Sequence, residues 1–132
     1  LMGRWQKLSS APLTIADTGH NVAGMQYIVS QIADINASAK RLVIGMVGDK
    51  DITSMLKLLP KDAIYYFCNA QIPRALPAEE LKAKASEFGL KGNAYPSVAD
   101  ALEAAKREAS TSDFIFVGGS NFTVAEIITP NS

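Results

Sequence analysis

Apolar residues along this chain follow two alternating rhythms. Short apolar runs at 13–16, 42–47, 63–68 and 113–117 have the length of strands, and 42–47 is unbroken, as in a strand buried on both faces. Between them the spacing lengthens. Val22, Met25, Ile28, Val29, Ile32 and Ile35 recur near a 3.6-residue period and predict a helix over 23–35 with one apolar face. Ile52, Met55, Leu56 and Leu59 predict a second, with Asp51 as its N-cap and Pro60 as its stop. Pro77 opens a third over 78–88 that Gly89 ends, and Ser97 caps a fourth through Val98, Ala101, Leu102 and Ala105. The stretch 118–122 leads into a short closing helix over 124–128. Before all of these, residues 4–8 form a candidate edge strand that turns back through 9–12.

Strands and helices alternating at these intervals imply right-handed βαβ crossovers. The expected fold class is α/β: a Rossmann-like three-layer sandwich, a mostly parallel sheet with helices on both faces and an N-terminal antiparallel edge strand. With 132 residues the chain makes one domain, 1–132. Its opening, Leu1-Met2-Gly3-Arg4-Trp5, reads as a cut through a longer polypeptide.

Thirteen basic and thirteen acidic residues balance, so no electrostatic grip on nucleic acid or acidic lipid is expected. The single cysteine, Cys68, sits in an apolar run and reads as a packed core thiol, in keeping with a reducing cytoplasm. No run approaches the ~20 apolar residues of a membrane span.

The candidate chemistry lies at three polar corners that follow apolar runs: Asp17-Thr-Gly-His20-Asn21, Gly48-Asp-Lys50-Asp51 and Gly118-Gly-Ser120-Asn121. In a parallel sheet all strand carboxyl ends share one edge, so the three corners should face a common crevice. They offer a carboxylate, an imidazole, an ammonium, a hydroxyl and helix-start amides, a set suited to an anionic ligand. Each also has a plainer use. Asp17 could cap the following helix, His20 (the one histidine) could be a structural hydrogen-bonder, Lys50 a solvated loop charge, and Ser120 a turn cap. The chain contains no G-x-x-x-x-G-K-[ST] loop, no G-x-G-x-x-G after the first strand and no G-x-S-x-G elbow. One His and one Cys cannot build an ordinary zinc site.

In order, Gly3-Arg4-Trp5-Gln6, Asp17-x-x-His20-Asn21, Gly45-Met-Val-Gly-Asp49-Lys50-Asp51, Arg74-Ala75 and Gly119-Ser120 resemble the C-terminal domain of folylpolyglutamate synthase, including the bacterial enzyme that is also dihydrofolate synthase. The resemblance covers nearly the whole chain. Thr18-Gly19 stands where the family has Gly-Ala, and Val22 where it has Pro; neither change removes a polar group. Membership of this part of the Mur ligase superfamily implies an ATP-dependent ligase that adds L-glutamate to a pteroate or folate through an acyl phosphate. The P-loop and Mg2+ ligands are then expected in a separate N-terminal ATPase domain, and the C-terminal domain alone is expected to be inactive. By position the resemblance assigns Arg4 and Asp17 to ATP, His20 and Ser120 to the neighbourhood of glutamate, and Lys50 a helping role. The residues alone also allow a stand-alone nucleotide- or anion-binding regulatory module, or another Mur-type amino-acid ligase domain.

Overall fold

Successive residues of the central strands point to opposite faces of a sheet, and here both faces are apolar. In the computed structural model, which describes residues 4–48 and 51–128, the strand β6 (Phe114–Gly118) shows this most clearly. Phe114 and Phe116 join one core with Ile15, Leu42 and Ile44, while Ile115 and Val117 join a second with Ala16, Val43 and Tyr66. A sheet with two apolar faces needs helices on both.

The other elements, in chain order, are β1 (Gln6–Ser10), β2 (Leu13–Asp17), α1 (Val22–Ala33), β3 (Lys40–Ile44), α2 (Ile52–Leu58), β4 (Ile64–Phe67), α3 (Ala78–Ser86), β5 (Lys91–Ala94) and α4 (Val98–Glu108), with α5 (Asn121–Ala125) after β6. The strands lie in the order β1-β2-β6-β3-β4-β5. Only the β1–β2 hairpin is antiparallel; the remaining pairings are parallel. Met25, Ile28, Ile32, Met55, Leu56, Leu81 and Ala85 bring α1, α2 and α3 onto the first face. Val98, Ala101, Ala105 and Val124 bring α4 and α5 onto the second. This is the three-layer α/β sandwich with an antiparallel edge strand that the alternation predicts.

Local departures have physical causes. The first strand starts at Gln6 rather than Arg4, because Trp5 has a left-handed backbone (φ 43°), which no strand tolerates. It also runs on through Ser10, so the turn contracts to Ala11-Pro12, joined by a cis peptide bond. The closing helix begins at Asn121 rather than 124, since Ser120 already caps it by accepting the Thr123 N–H. Asp51 occupies the N-cap position of α2, but its side chain makes no capping hydrogen bond. The strand β5, Lys-Gly-Asn-Ala, carries no apolar pattern and follows from backbone pairing with β4 alone. A Cβ on Gly92 would come within 1.9 Å of the Tyr65 carbonyl oxygen, so this edge strand approaches its neighbour as only glycine can. Among the described residues no helix is long and apolar enough to cross a membrane. Cys68 is fully buried, as its apolar run predicts, and burial pushes its thiol up to about 12.

A polar tie joins α4 to β3, β4 and the residue that enters β6. The Arg41 Nε donates to Asp113 Oδ2 at 3.0 Å, its Nη1 donates to the Tyr66 hydroxyl at 2.8 Å, and that hydroxyl donates to Glu108 at 2.6 Å. Asp113 also accepts from the Ser110 N–H and hydroxyl. The Ser110 N–H, helped by Arg41 against the opposing effect of burial, holds the Asp113 carboxyl below the usual value of 3.8. A carboxyl lowered in the folded state stabilises above the unfolded value and loses that stabilisation as pH falls through the folded one. Asp113→Asn should therefore cost about 1.5–3 kcal/mol at neutral pH, the usual worth of hydrogen bonds to a charged group. In urea melts the gap between parent and variant should narrow below pH 3.8. A gap that is constant across that range would show that the charge is not what matters.

Candidate functional site

Parallel pairing sets the height at which the chain leaves the sheet. Gly118 lies level with Asp17 on one side and with Ile44 on the other, so β2, β6 and β3 end together. Two of the three polar corners meet there. Asp17 is 5% exposed and uses both carboxylate oxygens: Oδ1 accepts the Gly19 N–H and Oδ2 accepts the Trp5 N–H, each at 2.8 Å. It is not the cap of α1. Asn21 takes that place, its side chain accepting the Gly24 N–H at 2.8 Å. The first turn of α1 presses on the corner before it, since a Cβ on Gly24 would stand 3.3 Å from the Gly19 Cα.

The corner after β6 is tighter still. Gly119 has φ 103°, and a Cβ there would lie 2.5 Å from the Gly45 carbonyl oxygen. Ser120, 2% exposed, is held by its neighbours: its hydroxyl accepts the Thr123 N–H and pairs with the Thr123 hydroxyl, which donates to the Gly45 carbonyl. Ser120 therefore acts in the structure as a buried cap, and the next residue, Asn121, reaches the surface.

Between the two corners lies an open cavity of about 570 Å³. Arg4, Asp17, His20, Asn21 and Asn121 supply its polar wall, and Trp5 and Tyr27 its aromatic one. Arg4 is exposed. His20 is also exposed; its Nδ1 lies 3.3 Å from the Thr18 carbonyl, which leaves Nε2 uncommitted. Arg4, Asp17 and His20, singled out in the sequence, line this cavity together with Asn121 of the Gly118 corner, while Trp5 and Tyr27 join them without having been assigned to a site. Tyr27 lies on α1 one turn after Gly24 and both line the cavity, so their helical spacing is the signal for Tyr27 that the sequence carries.

The third corner goes elsewhere. Beyond β3 the chain does not turn at once into a helix: the Leu76 N–H donates to the Met46 carbonyl, Val47 bridges Ala75, and the Gly48 N–H donates to the Arg74 carbonyl. This pairing carries Gly48 and Asp51 to a separate hollow of about 380 Å³, shared with Thr53, Ser54, Glu80 and Lys84. The common crevice expected from the sheet edge is thus two hollows. Lys50 lies outside the described residues.

The chain belongs to the Mur ligase, glutamate ligase domain family, whose model matches residues 3–121. The dihydrofolate synthase/folylpolyglutamate synthase of Escherichia coli (strain K12) is 34% identical over 130 residues, spanning 97% of this chain and 30% of that enzyme. Among solved structures, E. coli FolC in complex with DHPP and ADP matches with a TM-score of 0.86 at 34% identity, covering 96% of this chain and 30% of that one. A bifunctional folylpolyglutamate synthase/dihydrofolate synthase with Mn, AMPPNP and L-glutamate bound matches at 0.85 and 33% identity, over 96% and 30%. The chain spans about a third of the length of these relatives.

The geometry of the β6 corner yields a direct test. Gly119→Ala should destabilise the fold by at least about 2 kcal/mol, combining a strained left-handed backbone with a clash against Gly45. Gly48→Ala, whose Cβ would meet nothing nearer than 3.7 Å, should stay within about 0.5 kcal/mol of the parent. Equal denaturant midpoints for the two variants would contradict this account of the corner.

Proposed function

We propose that this chain is the C-terminal domain of a longer, cytoplasmic, ATP-dependent ligase that joins L-glutamate to dihydropteroate or folate, and that it closes over nucleotide and glutamate bound with an N-terminal ATPase domain. The observation that carries the reading is the meeting of Arg4, Asp17 and His20 around one cavity at the carboxyl edge of the sheet, in a member of the glutamate ligase domain family. The bound ADP, AMPPNP, Mn and L-glutamate of the related structures support it.

In the proposed reaction the γ-phosphoryl group of ATP passes to a substrate carboxylate, giving an acyl phosphate and ADP. The glutamate amine attacks the acyl carbon, inorganic phosphate leaves, and the amine proton goes to a base or to water. In this scheme Arg4 supplies a permanent cation against the phosphates. Asp17, whose oxygens each keep a lone pair beyond the backbone bonds, accepts from the ribose hydroxyls. His20 and Asn121, on the facing corners, hold glutamate so that its amine meets the acyl phosphate. Ser120 serves by capping α5 and so placing Asn121. Lys50 keeps the helping role that the family resemblance gives it. Mg2+ accompanies the nucleotide in this reading. Its ligands are expected in the N-terminal domain, as the family resemblance implies.

Two outcomes test the proposal. The chain alone, given ATP, dihydropteroate and glutamate, should form no amide; turnover by the isolated chain would overturn the two-domain reading. In the full-length ligase, Arg4→Ala should raise the KM for ATP or slow the phosphoryl step by about ten- to a hundredfold, the kinetic equivalent of losing a charged hydrogen bond. Unchanged kinetics would make Arg4 an ordinary surface residue.

A further inference from the structure

An exposed arginine is a poor ligand-holder unless its backbone is fixed, because a free guanidinium on a loose segment must be ordered each time it binds. The residue after Arg4 solves that problem in an unusual way. Trp5 has φ 43°, a conformation that disfavours any side chain and persists only where its surroundings enforce it. Here they do so twice over. Its backbone N–H donates to Asp17 Oδ2 at 2.8 Å. Its indole stands on Phe114 and Phe116, with ring centroids 6.4 and 6.3 Å away. Both phenylalanines are fully buried on the central strand, so they form a fixed platform. The other oxygen of the same carboxylate accepts the Gly19 N–H and ties in the corner that carries His20.

We infer that Trp5 is a positioning residue: its ring and its left-handed backbone hold the Arg4 guanidinium at the cavity, locked to the His20 corner through Asp17. Arg4 and Trp5 line the same cavity, and no element of secondary structure fixes Arg4. The ring supplies the anchor, the Asp17 bond sets the direction of the chain, and Arg4 follows. This inference rests on the assignment of Arg4 to the nucleotide.

The test is a double-mutant cycle in the full-length ligase, with KM and kcat read separately for ATP and glutamate. Trp5→Leu should raise the KM for ATP about tenfold, as displacement of a positioned group does, with the KM for glutamate within about twofold of the parent. Trp5→Phe, which keeps a ring on the platform, should recover most of that loss. In an Arg4→Ala background Trp5→Leu should add nothing, since its effect passes through Arg4. A normal KM for ATP in Trp5→Leu, with Arg4→Ala impaired, would overturn the inference and leave the ligase reading standing. Losses that add in the double variant would also overturn it, by showing that Trp5 acts on its own. A silent Arg4→Ala would instead strike the assignment beneath. Should Trp5→Leu fail to fold, Trp5→Gly takes its place in the cycle, since glycine adopts the left-handed backbone without strain.

Discussion

The pairing of β6 between β2 and β3 is the constraint on which the rest depends. Slipping either register by one residue would exchange Phe114 and Phe116 for Ile115 and Val117 on the two faces and ruin both cores at once. The packing on both sides therefore fixes the pairing, and the pairing puts Asp17, Gly118 and Ile44 at one height. Gly118 adds its own limit: a Cβ there would meet the Phe116 ring at 2.6 Å and the Asp17 carbonyl oxygen at 2.8 Å. A side chain at that point would push the corners apart. The cavity is thus a by-product of core packing several residues away.

The apolar rhythm made the layers readable because each central strand and each long helix buries a face. Met25, Ile28 and Ile32 on α1, or Val98, Ala101 and Ala105 on α4, announce themselves by spacing. What escaped was set by the backbone or by tertiary contact. Lys91 to Ala94 form a strand through pairing with β4, which leaves no mark on side-chain pattern. Asp17 reads as a helix cap or a ligand, and its ties to Trp5 and Gly19 depend on where the hairpin folds back. The divergence of the Gly48 corner comes from pairing with residues 74–76, which no local signal near Gly48 foretells. Ser120 was recognised as polar and well placed, but the balance between cap and ligand is decided by the buried Thr123 hydroxyl beside it.

The polar groups of the two ends of the sheet are disposed differently. Around Arg41 every charged or hydroxyl group meets a protein partner, and Asp113, Tyr66 and Glu108 are joined into one network. Among the described residues no buried side-chain polar atom lacks a partner. At the other end Arg4, His20 and Asn121 stand exposed around the cavity, while the buried members of the same corners, Asp17 and Ser120, serve the backbone. Burial separates the two duties at the β6 corner, where Ser120 builds the turn and Asn121 is left for solvent or ligand. At the β2 corner Asp17 ties the backbone and still lines the cavity.

Trp5 has one more consequence, and it is spectroscopic. It is the chain's one tryptophan, half-buried, and it stands in the wall of the cavity, packed against the edge of the first core. Its emission therefore reports on a single place. Any molecule that enters beside it, or any surface that closes over it, changes the polarity around the indole while the phenylalanine platform beneath stays fixed. Within this chain the indole is an optical gauge of the cavity, one that needs no label.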